Sequence, residues 1–302
     1  MNGSAIEAWF PLHWRMLSIA LFSQITVSIV TQGVPTLAPF LQADLALTRG
    51  QVGLFTSAIM GGSFVALFVA GGIVDLKGER AALSLGNAIV GGACLMIGFA
   101  QSFTSALGVC CLAGIGAAFA TPAGGRTVMR WFPAAQRGTA MGIRQTGIPI
   151  GGALAAAVLP IIAVSAGWRV AIAIGGVLCL AAAAVSMLAY QTEDDLTRPN
   201  NDAVPRLRFR EVINRDIALL GLAGCVLPLG QFALVTYLAL YLKETQQIAV
   251  TASALMLVAA QIAGAAGRVA WGVWSDRIFH QRRKPSLVIS NLLAAGFSLC
   301  LG

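Results

Sequence analysis

Charge is what this chain is short of. Only 11% of its 302 residues are charged, where a soluble protein carries about 25%. Acids are scarcer than bases, twelve Asp and Glu against twenty Lys and Arg. All twelve acids lie in polar stretches or at the ends of apolar runs, so no carboxylate is expected where a buried proton relay would need one. There are two histidines, His13 and His280, both outside apolar runs and without metal-ligand spacing. No serine has a local histidine partner. An enzyme and a metal or cofactor site are therefore not expected. The six cysteines form no CxxC and all lie inside apolar runs, as reduced packing residues do. No basic-aromatic stretch suits nucleic acid. A charged start, short apolar core and small-residue cleavage site do not occur in that order, so the first apolar run is expected to act as its own uncleaved signal.

What the chain has is apolar length: 57% of it is hydrophobic, gathered in runs. Nine runs are long enough to cross a bilayer as helices, near residues 15–40, 51–74, 81–100, 104–131, 138–164, 168–190, 216–242, 249–275 and 285–301. Connections are short except for Gln191–Arg215, which is polar, has two prolines, and carries five acidic and five basic residues. That stretch reads as a linker between a six-helix bundle over residues 1–190 and a three-helix part over residues 216–302. With the N-terminus inside, only Arg49, Arg169 and Lys243 of the twenty basic residues fall on the outer side. Basic residues favour the cytoplasmic side, so the N-terminus and the linker are expected there. The lipid bilayer is the first expected partner.

The stretch Gly71-Gly72-Ile73-Val74-Asp75-Leu76-Lys77-Gly78-Glu79-Arg80 reads as a tight charged hairpin between the second and third runs. Its Gly-x-x-x-Asp pattern recurs 201 residues later as Gly272-Val273-Trp274-Ser275-Asp276, and at the same offset Phe40-Leu41 falls on Tyr241-Leu242. An even number of spans separates the copies, which makes the repeat parallel rather than inverted. The expected fold is an all-α membrane protein built as a parallel repeat of six-helix bundles. Two halves of that length need about twice 201 residues, so the second bundle is expected to be incomplete, through truncation or because the chain is a fragment. On that reading the 302-residue chain inserts but does not transport.

Gly71-x-x-x-Asp75-x-x-Gly78-x-Arg80 resembles the signature loop of the major facilitator superfamily. Supporting it are Arg130-Trp131-Phe132-Pro133, Arg137-Gly138-Thr139-Ala140-Met141-Gly142, Gly147-Ile148-Pro149-Ile150-Gly151-Gly152, Gly167-Trp168-Arg169 and Arg268-x-x-x-Gly272-x-x-x-Asp276-Arg277. The chain departs from the family loop at Leu76 and Glu79, where basic residues are usual. It departs from proton-driven exporters at Cys110, in place of an arginine, and at the inserted Ile148. The resemblance thus implies a multi-pass transporter, expected in a bacterial inner membrane, without implying drug–proton antiport. It also implies a gate. Asp75, at the cytoplasmic end of a helix, would pair with a basic group on a neighbouring helix in one state and release it in the other, with Arg130 the expected partner. Asp276 and Arg277 would be the counterpart in the second half.

Candidate cavity residues come from polar positions inside the runs. Gln24, Ser28, Thr31 and Gln32 share one helical face. Such a face must meet other helices or a water-filled cavity, and both readings stand. Gln231 and Gln261 are weaker candidates of the same kind. The charges inside the runs, Arg126, Arg144 and Arg268, are all basic. Arg126 and Arg144 lie within reach of the headgroups by snorkelling. Arg268 is deeper, on the face of Gln261, and would attract an anion. Two functions remain: a carrier of a small solute, with an organic or inorganic anion favoured, or a transport-inactive fragment that regulates or assembles with other membrane proteins.

Overall fold

An apolar run surrounded by lipid can satisfy its backbone only inside a helix or a closed barrel. A computed structural model describes residues 11–191, 250–278 and 283–301, with single positions 215, 219 and 221, and among these there are helices and no strand. Numbered in chain order they are α1 (Leu12–Thr36), α2 (Ala38–Asp44), α3 (Arg49–Met96), α4 (Phe103–Ala117), α5 (Ala120–Trp131), α6 (Arg137–Gln145), α7 (Gly147–Ala166), α8 (Trp168–Ala189), α9 (Val250–Arg277) and α10 (Arg283–Leu301). Five helical stretches among the described residues are long and apolar enough to cross a membrane: Leu12–Thr36, Gly50–Met96, Phe103–Trp131, Ala134–Ala166 and Trp168–Ala189. The seventh expected run lies outside the described residues apart from positions 219 and 221.

The hairpin expected at Gly71–Arg80 takes a different form. The chain stays helical through Lys77 and is helical again from Glu79, with the corner made at Gly78, φ 77° and ψ 176°. That conformation is open to glycine and strained for every residue with a Cβ. One residue thus turns α3 into two crossings and leaves Asp75 on a helix rather than in a loop. Two interruptions also lie inside expected runs, at Ala118–Phe119 between α4 and α5 and at Thr146 between α6 and α7. Pro122 and Pro149 explain them, because each lacks the N–H that would bond four residues back.

The described residues divide into two compact units. One is Met1–Thr192 with Gly264–Gln281, the other Glu193–Ala263 with Arg282–Gly302. The first unit holds the contacts described below. Its packing relies on small residues. A Cβ on Gly114 would overlap the carbonyl of Ile59, and one on Gly62 would overlap the carbonyl of Cys111. The first half of α3 and α4 therefore touch backbone to backbone, as helices in lipid do where glycine permits. Elsewhere on α3, Phe64, Val65 and Val69 are 60 to 72% exposed. Lipid is the surrounding in which that much adjacent apolar surface is stable. Cys94, Cys110 and Cys179 are buried free thiols, in keeping with packing.

The end opposite Gly78 is tied by a small charged clasp. Asp44 Oδ2 accepts from Arg169 Nη1 at 2.6 Å and from Trp168 Nε1 at 3.2 Å. Arg169 Nη2 donates to the Ala100 carbonyl at 3.1 Å, and its guanidinium lies 4.4 Å from the Trp168 ring centroid. The clasp joins the chain after α1, the end of α3 and the start of α8. The hydrogen bonds from Arg169 and Trp168 hold the Asp44 carboxyl below the ordinary carboxylate range.

Candidate functional site

Polar side chains in an apolar setting need partners, and following those partners locates the candidate site. At the Gly78 corner, two carboxylates face two guanidiniums. Asp75 accepts from Arg126 at 2.9 Å. Glu79 lies 3.2 Å from Arg126 Nε and 3.3 Å from Arg130 Nη1. Arg126 also donates to the Val74 carbonyl at 2.8 Å. Arg126 and Arg130 are four apart on α5 and so sit one turn apart on one face, while Asp75 and Glu79 flank the Gly78 corner, which brings both carboxylates to that face. Asp75 is 70% exposed while Glu79 is 1% exposed. The expected Asp75–Arg130 pair is thus replaced by Asp75–Arg126, and Arg130 goes to Glu79. A carboxylate is buried after all, because the Gly78 corner drops Glu79 behind two arginines of α5. Arg80 donates to the Met187 carbonyl of α8 at 2.7 Å. Gly71 lies on the helical approach to the corner, with open space beside it.

The second copy of the motif lies at the end of α9. Asp276 accepts from the backbone N–H of Gly138 at 3.0 Å, from that of Thr139 at 2.7 Å, and from the Thr139 hydroxyl at 3.0 Å. These N–H groups belong to the first turn of α6, where helix N–H groups lack helical acceptors and the helix dipole favours an anion. Close approach makes this possible: a Cβ on Gly272 would overlap the Gly138 carbonyl, and one on Gly142 would overlap the Arg268 carbonyl. Arg277 is exposed at the helix end.

The polar face of α1 meets the glycine face of α7. A Cβ on Gly147 would crowd Gln24, one on Gly151 would crowd Ser28, and one on Gly152 would crowd Gln32. Gln32 Nε2 donates to the Ile148 carbonyl at 2.8 Å, and Gln24 Nε2 donates to Ser28 Oγ at 3.2 Å. Gln32 and Ser28 thus meet α7 directly, while the Gln24–Ser28 bond lies within α1. Gln24 differs, because its Oε1 accepts from Arg144 Nη2 at 2.9 Å. The same nitrogen donates to the Ala120 carbonyl at 2.6 Å. Arg144 is 2% exposed, and its Nε is buried without a hydrogen-bond partner among the described residues. It does not snorkel. The guanidinium lies against Gly124, where any Cβ would overlap its Nε, and this gap holds it inside.

The remaining candidates are scattered. Gln231 lies outside the described residues. Gln261 and Arg268 are both on α9 and half-buried. Sequence reasoning passed over a buried cluster in which Asn87 donates to Ser23 Oγ and accepts from the Thr26 hydroxyl at 3.1 Å. Asn87 within an apolar run was the available signal, since an amide there must find partners on another helix. It also passed over Glu79, seen only as a departure from a basic position, although its spacing from Asp75 repeats that of Arg126 and Arg130.

Comparison with known proteins agrees with this architecture. The family model of the Major Facilitator Superfamily matches residues 20–302. An uncharacterized MFS-type transporter of Mycobacterium tuberculosis is 29% identical over 95% of this chain and 64% of its own length. The chain therefore spans just under two thirds of that relative. A probable sulfoacetate transporter, SauU, of Cupriavidus necator is 26% identical over 94% of this chain and 68% of its own. Among solved structures, the proton:xylose symporter XylE matches with a TM-score of 0.68 and 14% identity, over 88% of this chain and 70% of that one, a likeness of fold. With buried charges tied at helix ends, a repeated Gly-x-x-x-Asp motif and a family match over nearly its whole length, the chain belongs to the Major Facilitator Superfamily, whose members are transporters and not enzymes.

Proposed function

We propose that this protein is a secondary transporter that moves a small anionic solute across a membrane by alternating access, with the Gly78 end facing the cytoplasm. The observation that carries the reading is Asp276. Its carboxylate holds the first turn of α6 through three hydrogen bonds to groups 137 and 138 residues away. A contact between such distant segments, made by one charged side chain on a helix terminus, is a latch that one conformation makes and another releases. The Asp75–Arg126 pair at the Gly78 corner is exposed enough to break at low cost and would serve the same end of the cycle.

Charge supports an anion. Among the described residues, Arg144 is buried without a carboxylate beside it and Arg268 is half-buried on α9, while the buried Glu79 is already matched by two arginines. A relative described as a probable sulfoacetate transporter, hence one for an organic anion, points the same way. The test is uptake into proteoliposomes holding the protein, with organic acids, small inorganic anions, neutral sugars and cationic drugs compared. Saturable uptake confined to anions is the expected result, and it would overturn the reading of the second bundle as too incomplete to transport. Accumulation of cations or sugars alone would refute the anionic reading.

A further inference from the structure

We infer that Arg144, seated against Gly124 and tied to Gln24, forms a binding site for one oxyanion group (carboxylate, sulfonate or phosphate) of a soluble solute. The inference rests on the transporter reading and names the site at which its cargo is held. A guanidinium has five N–H donors. In Arg144 only Nη2 has acceptors among the described residues, and both are neutral: the Gln24 side-chain oxygen at 2.9 Å and the Ala120 carbonyl at 2.6 Å. Nε is buried with no acceptor. No salt bridge to Arg144 exists among the described residues, whereas Arg126, Arg130 and Arg169 each have a carboxylate. A buried charge without an opposite charge is strongly destabilising, and inside a membrane an ionisable group is retained where it has a use.

Three features make this a built site rather than a stray side chain. Gly124 leaves room against which the guanidinium rests, and any Cβ there would overlap Nε. Gln24 is itself fixed, because Gly147 lets α7 close on it and its amide donates to Ser28 Oγ at 3.2 Å. The acceptor Ala120 opens α5, just after the interruption at Ala118–Phe119. The site therefore lies where α1 meets α5 and α6, each of which adjoins one of the two helix breaks. Small rearrangements at those breaks would open it. An oxyanion would accept from the idle Nε–H and Nη1–H donors, and charge-assisted bonds of that kind are the strong ones.

A purely structural arginine would make different predictions. The test uses the purified protein in nanodiscs of phosphatidylcholine alone. Its melting temperature is followed with sulfate, phosphate, succinate and sulfoacetate, against sodium chloride of matched ionic strength and against glucose. The expected result is a saturable rise with at least one oxyanion and none with chloride or glucose. Arg144→Gln is expected to weaken that binding by about 10- to 100-fold while leaving the ligand-free midpoint unchanged or higher. Arg144→Lys keeps charge but loses donors and falls between. Should Arg144→Gln fail to fold, Gly124→Ala displaces the guanidinium without removing it and is expected to weaken binding to a similar degree.

No response to any of the four oxyanions in folded wild-type protein would overturn the site. So would an undiminished response in Arg144→Gln or Gly124→Ala. A melting shift produced only by adding phosphatidylglycerol to the discs would assign the arginine to a lipid headgroup and also overturn it. The two readings fail separately. Anion uptake with no Arg144-dependent binding sinks the site alone, while binding retained without any uptake sinks the transporter alone.

Discussion

Glu79 and Asp75 show how burial decides what a charge is worth. Both face Arg126, and they are four residues apart. Asp75 is 70% exposed, so Asp75→Asn is expected to cost below about 1 kcal/mol of stability and to act chiefly on transport rate. Glu79 is 1% exposed and meets two arginines whose side chains are 31% and 27% exposed. Removing one partner of a fully buried pair costs about 3–5 kcal/mol. Partial exposure of the arginines lowers the expected cost of Glu79→Gln to about 2 kcal/mol. Unfolding of the two variants in detergent, side by side, checks the ranking; equal losses would contradict it. The pattern was legible in part. Asp75 stands out because it is in a recognisable motif, and the two arginines because charges are rare in apolar runs. The pairing was not legible, since it depends on Gly78 turning the chain one residue before Glu79. Arg144 was misread for a related reason: snorkelling is the default for an arginine two turns from a helix end, and only the gap at Gly124 overrules it.

At the scale of elements, hydropathy located the first six crossings but misjudged how they end and bend. Apolar length reveals a helix, whereas a charged flank is silent on whether the helix continues through it. That is why α3 runs past Asp75 to Lys77. The breaks before Pro122 and Pro149 were open to reading, since a proline inside an apolar run leaves a carbonyl unpaired. Gly78→Ala tests the corner: with φ at 77° and ψ at 176°, the substitution is expected to cost about 1–3 kcal/mol through backbone strain. An unchanged unfolding midpoint would mean that the corner relaxes. The Asp44 clasp gives a pH prediction. The carboxyl is held below its ordinary value by Arg169 and Trp168, so the folded state binds fewer protons there than the unfolded chain. Its contribution is then fully present above the ordinary carboxylate pKa of 3.8 and is lost as pH falls below it, through the folded value. With Asp44 44% and Arg169 34% exposed, the contribution is at most about 1 kcal/mol. Asp44→Asn is expected to remove this small acid-dependent part of the midpoint; a wild-type pH profile in that variant would show that the clasp contributes nothing.

For the whole molecule, the parallel repeat read from Gly71–Asp75 and Gly272–Asp276 places both motifs towards the ends of helical stretches, yet the copies are used differently. Asp75 pairs with an arginine, whereas Asp276 holds backbone N–H groups and a hydroxyl. Sequence symmetry could not show this, because the partner is a helix end with no side-chain signature. The difference makes Asp276 the more sensitive of the two to loss of charge. A carboxylate oxygen accepting from a helix N-terminus is favoured by its charge as well as by its hydrogen bonds. Asp276→Asn keeps the size but removes the charge and replaces one acceptor oxygen by a donor that faces other donors. A loss of about 1.4 kcal/mol from the latched state would shift the conformational balance about tenfold. Hydrogen exchange reads that shift directly, since the N–H groups of Gly138 and Thr139 are the ones held. In reconstituted protein, peptides covering the first turn of α6 are expected to exchange about tenfold faster in Asp276→Asn. Asp75→Asn leaves these bonds untouched and is expected to leave that peptide alone. In a transporting preparation the same variant is expected to change turnover, because a state that must form in every cycle has become less populated. Unchanged protection at Gly138–Thr139 in Asp276→Asn would mean that the bonds do not hold the two segments together, and that alternating access needs another latch.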